Sequence, residues 1–205
     1  MAFDAIVIGV SAGGYHALNA ILPRLPVTFP PILVVQHIHR HMDDAQIEML
    51  ERVCALTVRF AEDKEKIEDG VILFAPANYH LLVEADRTVS LNTDPAVNHA
   101  RPSVDVLFET AAEVFGSGLI GIILTGASSD GCKGLGRIAE KGGLTIVQDP
   151  KTAEMTMMPN SAIAEADVGF VLGLHDIVPF LINQINSTVP SAASSKPQPC
   201  QSKIS

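Results

Sequence analysis

Residues 6–22 read IVIGVSAGGYHALNAIL. An apolar, β-branched run passes through a serine and two glycines into an amphipathic pattern, which predicts a buried strand, a tight turn and a helix. Three roles suit Ser11 at this junction. Glycines can free backbone N–H groups to cradle a phosphate at a helix N-terminus. Gly9, Val10, Ser11, Ala12 and Gly13 also spell G-x-S-x-G, in which small neighbours let a nucleophilic serine stand on a sharp strand-to-helix turn. A serine N-cap on the first helix is the commonest use of the residue at such a place. The stretch by itself leaves all three open.

Similar apolar runs recur at 4–10, 31–36 (PILVVQ), 71–75 (VILFA), 119–125 (LIGIILT), 144–148 (LTIVQ) and 168–172 (VGFVL). Several are continuous rather than alternating, the pattern of parallel strands buried on both faces. Helical patterns lie between them: YHALNAIL, MDDAQIEMLERVC, SVDVLFETAAEVF, GLGRIAE and HDIVPFLINQI. The alternation predicts an α/β fold, a three-layer, doubly wound and mostly parallel sheet with its ligand site beyond the carboxyl ends of the strands. HLLVEADRTVSLN (80–92) breaks the alternation and reads as a hairpin supplying antiparallel edge strands. Residues 1–186 are expected to form one domain, and 187–205, rich in Ser, Ala, Pro and Gln, a disordered tail.

Composition narrows the function. A formal charge of −9, with few and scattered basic residues, argues against nucleic acid as a partner. The N-terminus has neither a basic segment nor a long apolar run, so no signal peptide or membrane insertion is expected. Three cysteines, Cys54, Cys132 and Cys200, show no C-x-x-C spacing and fit a reducing compartment, hence a cytoplasmic protein.

A nucleophilic serine needs a base within reach and a third group to orient that base. His37 ends the second apolar run, and Asp130 follows the run that ends at Thr125. In a parallel sheet these carboxyl ends share one edge, so Ser11, His37 and Asp130 can converge. Their order, Ser then His then Asp, differs from that of α/β-hydrolases, where the acid precedes the histidine. His37, His39 and His41 in HIHRH raise a metal site. No nearby cysteine or carboxylate completes a ligand set, so His39 and His41 are read as rim residues. The phosphate cradle is disfavoured because no P-loop lysine and no acidic ribose partner follow Ser11.

IGVSAGG, VVQH, NHARPSVDVLFE, ILTGASSDG and MPNSAIAEADVGFVL occur in this order between residues 4 and 186. Together they resemble the catalytic domain of the chemotaxis receptor methylesterase CheB. The resemblance implies a catalytic triad of Ser11, His37 and Asp130, and a serine esterase that hydrolyses glutamate γ-methyl esters on receptor helices to release methanol. It also implies deamidation of receptor glutamines, and no cofactor or metal. The oxyanion donors would be the backbone N–H groups of Ala12 and Ala127.

The family commonly has threonine after the nucleophile and Met-Gly-Asn before the acid, where this chain has Ala12 and Ala127-Ser128-Ser129. These departures keep alive a second reading, a catalytically weak signalling or binding module. Chemotaxis members usually carry a receiver domain ahead of the catalytic one. The 205 residues begin at the first strand with no receiver or linker, so the chain is expected to be either a stand-alone esterase, with a separate receiver or regulatory protein as partner besides the methylated receptor, or a piece of a longer protein.

Within NHARPSVDVLF, Arg101 is placed near substrate. Ser103 is expected as a helix N-cap or first-turn residue, and Asp105 as a residue favoured by the helix dipole. His80 and His99 are expected in loops, and Met155, Met157 and Met158 either along an apolar wall or in the core.

Overall fold

A computed structural model describes residues 3–37 and 44–188. Strand β1 (Ala5–Val10) is buried along its whole length and pairs in parallel with β2 (Ile32–Gln36) and β7 (Leu119–Ile123). Outside these lie β3 (Thr57–Phe60) and β4 (Val71–Phe74) on one side, β8 (Leu144–Gln148) and β9 (Phe170–Leu172) on the other. The order is β3-β4-β2-β1-β7-β8-β9 and every pairing is parallel. The expected doubly wound fold is therefore present.

Successive strand residues point to opposite faces, and both faces are covered. Val7, Leu33, Leu73 and Val147 pack on one side beneath α3 (Val104–Phe115), α4 (Cys132–Glu140) and α5 (Met157–Glu165). Ile6, Ile8, Val34, Ile72 and Ile146 pack on the other beneath α1 (Gly14–Ile21), α2 (Asp44–Val53) and α6 (Ile177–Thr188). This double coverage is why the strand runs are continuously apolar. Among the described residues no helix is long and apolar enough to cross a membrane.

Two elements lay outside the sequence expectations. β3 is a four-residue edge strand with Arg59 at its centre, ion-paired to Glu65, so its short TVRF run carries little apolar signal. In α5, Met158 and Ala162 are buried while Met157 and Ile163 are exposed, and Pro159 stands in the first turn, which blurs the helical pattern.

The hairpin forms as β5 (His80–Val83) and β6 (Val89–Asn92), but as a separate two-stranded sheet that does not extend the edge of the large one. Its backbone bonds instead to the 64–67 loop (Lys64 N to Val89 O 2.8 Å, Val89 N to Glu65 O 2.9 Å). Its apolar face, Leu81, Val83 and Val89, is buried in the core shared with α3. α6 runs to Thr188, past the boundary expected at 186. The rest of the expected tail, with Cys200, lies outside the described residues.

Candidate active site

β1 has β2 on one side and β7 on the other, so the chain reverses its direction of winding there. The crevice beyond the carboxyl ends of such neighbours is where open α/β sheets bind ligands. The loops after β1 and β2 carry Ser11 and His37 into it, and the loop after β7 sets the buried Asp130 against His37.

Ser11 sits in a turn held at both ends. Its N–H donates to Thr125 O (3.0 Å) and its carbonyl accepts from Gly14 N–H (2.9 Å). Gly13, with φ +77°, takes the left-handed conformation that starts α1. Gly126 lets the loop after β7 lie against the serine, since a Cβ there would fall 2.8 Å from Ser11 Cβ and 2.5 Å from Met158 Sδ. Thr125 ties the layers together: its hydroxyl donates to Ala12 O (3.0 Å) and accepts from Met155 N–H (2.8 Å). Gln148 at the end of β8 accepts from Thr125 N–H (2.9 Å).

His37 follows β2, with its backbone N–H on Val10 O at 2.8 Å. Its ring Nε2 lies 2.8 Å from Asp130 Oδ2. A carboxylate can only accept, so Nε2 carries the proton and Nδ1 is left with a free lone pair. Both groups are withdrawn from water, the His37 side chain at 14% exposure and that of Asp130 at 0%.

The buried carboxylate is satisfied by the start of α3. Val104 N–H donates to Oδ2 (2.6 Å), while Ser103 Oγ (2.8 Å), Asn98 Nδ2 (3.0 Å) and Asp105 N–H (3.3 Å) approach Oδ1. Burial is the largest influence on Asp130 and works to raise its pKa. The bonds from His37, Asn98, Val104 and Ser103 together outweigh it and hold the carboxyl below its ordinary value. Ser103 occupies the N-cap position as expected, yet its hydroxyl serves Asp130 rather than its own helix.

Asp105 does more than favour a helix dipole. It is nearly fully buried and accepts from Gly134 N–H in the first turn of α4 and from Asn98, each at 2.8 Å. Burial pushes it up to about 6; the Gly134 bond works against the shift and the Asp130 charge adds to it.

Ser11, Ala12, His37, Asn98, Arg101 and Ala127 line one cleft of about 1050 Å³. Among the described residues, the N–H groups of Ala12 and Ala127 meet no protein acceptor. Arg101 lies in the wall, with Nη1 committed to the carbonyls of Thr93 (2.7 Å) and Asp94 (3.0 Å).

His80 is not a loop residue. It opens β5, is buried, and its Nδ1 accepts from Ser103 N–H (3.2 Å). His99 does stand in a loop, on the cleft wall. Met158 is core, whereas Met155 and Met157 are exposed. His39 and His41 lie outside the described residues. Asn98 opens the NHARPSVDVLFE motif and Thr125 lies within ILTGASSDG, but nothing local assigns either a role at the site. His80 and Gln148 belong to neither motif, and the one local signal for Gln148 is a polar residue at the end of an apolar run.

A parallel α/β sheet with a serine on a strand-to-helix turn, in one cleft with a histidine backed by a buried aspartate, is the framework of a serine hydrolase. A model of the CheB methylesterase family matches residues 6–181. A Leptospira interrogans protein, provisionally named protein-glutamate methylesterase/protein-glutamine glutaminase, is 52% identical over 183 residues, covering 89% of this chain and 95% of that one. A Symbiobacterium thermophilum protein of the same name is 38% identical over 173 residues, covering 84% of this chain but 48% of its own length. The crystal structure of the Thermotoga maritima CheB methylesterase catalytic domain superposes with a TM-score of 0.85 at 36% identity, covering 90% of this chain and 100% of that one. The chain belongs to the CheB methylesterase family, as its motifs implied.

Proposed function

We propose that this protein is a serine methylesterase that hydrolyses glutamate γ-methyl esters on the cytoplasmic helices of a methylated receptor. The observation that carries the reading is the 2.8 Å bond between the fully buried Asp130 and Nε2 of His37, which lines one cleft with Ser11. Ser11 Oγ attacks the ester carbonyl carbon while His37 Nδ1 takes its proton. The histidine passes that proton to the departing methoxide oxygen, and methanol leaves. Water, deprotonated in turn by His37, attacks the acyl-serine, and the proton returns to Ser11 as glutamate departs. Asp130 stays ionised, holding Nε2 protonated and Nδ1 basic.

The oxyanion of each tetrahedral intermediate is assigned to the N–H groups of Ala12 and Ala127, a contribution of about 100- to 1000-fold per donor in comparable sites. Arg101 borders the substrate at the rim. Every step uses groups of the chain and water, with no cofactor or metal. The same machinery cleaves a glutamine side chain with loss of ammonia, a reaction that the double names of the relatives support. A receptor substrate of this kind supports a cytoplasmic location, with a receiver or regulatory protein as the controlling partner.

The test is a serine-directed fluorophosphonate with mass mapping of the labelled peptide, followed by methanol release from methylated receptor. Label on Ser11 that disappears in His37→Ala, and methanol release that Ser11→Ala abolishes, are the expected results. Receptor binding with no Ser11-dependent turnover would replace the reading with a binding module.

A further inference from the structure

Behind the His37–Asp130 pair lies a second buried carboxylate, and one side chain stands between the two. Asn98 Nδ2 has two hydrogens and places one on Asp130 Oδ1 (3.0 Å) and the other on Asp105 Oδ2 (2.8 Å). The residue sits in a two-residue turn closed by the Val97–Ala100 bridge, in which Asn98 and His99 both have positive φ (50° and 64°). Asparagine tolerates that conformation better than most residues.

We propose that Asn98 is a positioning residue for the histidine–aspartate pair: its shared amide nitrogen shields two buried carboxylates from each other and keeps Asp130 aimed at His37. The proposal rests on the methylesterase reading for its kinetic consequence but not for its geometry.

Other titratable groups around the pair are His37 beyond Asp130, Glu109 one turn along α3, and Cys132 at the start of α4, which feels Glu165 of α5. His80 of β5 lies beneath Ser103. None of these bonds to both carboxylates. Without the amide, Asp105 and Asp130 face each other with no shared donor. Asp105, already raised to about 6, then holds its proton to higher pH, since the Asn98 bond is one of the influences that lower it. While protonated, its O–H can stand in as the missing donor to Asp130. Once it ionises, the two anions repel and Asp130 is displaced from His37.

The test compares wild type, Asn98→Gly, and Asn98→Gly combined with Asp105→Asn. Glycine keeps the positive-φ turn and deletes only the amide. In the single variant, kcat should stay near wild type around pH 6 and fall about tenfold to a hundredfold above about pH 7, with KM unchanged. The added Asp105→Asn leaves an oxygen for Gly134 N–H and places an amide nitrogen toward Asp130, so kcat at alkaline pH should recover. A low-field proton resonance of His37 Nε2–H should weaken and return in the same order, with or without turnover.

An unchanged resonance and pH profile in Asn98→Gly, a loss confined to KM, or no recovery in the double variant would overturn the proposal. If wild type hydrolyses no methyl ester while the resonance behaves as described, the methylesterase reading falls and the positioning role stands.

Discussion

Asp130 illustrates how a residue acquires its chemistry from its surroundings. A carboxylate at zero exposure is costly unless paired, and here it is matched by donors from His37, Asn98, Ser103 and the first turn of α3. If Asp130 completes the proposed triad, Asp130→Asn should keep the geometry but favour the wrong imidazole tautomer, lowering kcat by about 10⁴-fold, which steady-state kinetics on a small ester would measure.

The two buried aspartates also act oppositely on stability. The folded-state pKa of Asp130 is depressed, so its contribution is present above the ordinary carboxyl value and is lost as pH falls through the folded pKa. For Asp105, raised to about 6, the folded state holds the proton more tightly, so stability falls as pH rises from the unfolded value toward about 6. Urea unfolding of Asp105→Asn between pH 4 and 7 should lack that component of the decline.

At the scale of elements, the site depends on close approach between a turn and a loop. Gly126 admits the loop after β7 to within contact of Ser11, and a Cβ there would collide with both Ser11 and Met158. Gly126→Ala is expected to leave the sheet intact, cost about 1–3 kcal/mol in overpacking, and slow fluorophosphonate labelling of Ser11. A melting curve and a labelling time course separate the two effects. α3 contributes through its N-terminus: Val104 and Asp105 point their N–H groups at Asp130, so the helix dipole and the carboxylate stabilise each other.

Across the whole molecule, the sheet order sets three strand ends side by side, in a chain of net formal charge −9. A receptor helix whose modified positions are glutamates gains no long-range attraction from such a net charge. Docking must rest on shape and short-range contacts, so kcat/KM on methylated receptor should hold or rise as salt increases from about 0.05 to 0.3 M. A steep fall with salt would reveal a local basic contact instead.

Much of this was legible in the chain itself. Ser11, His37 and Asp130 each follow a continuous apolar run, and in a parallel sheet such runs must end on a common edge. Local periodicity is enough to place residues of that kind. β3 and α5 escaped because an edge strand with a central arginine, and a helix with poorly segregated faces, carry little period. Only the tertiary structure decided how the acid is held. The contacts of Asn98, Ser103 and Val104 with Asp130 span 26 to 32 positions. The bond from Ser103 N–H to His80 likewise joins α3 to the hairpin. Hydrogen bonds between elements so distant in the chain arise from how helices and strands pack, and no local pattern encodes them.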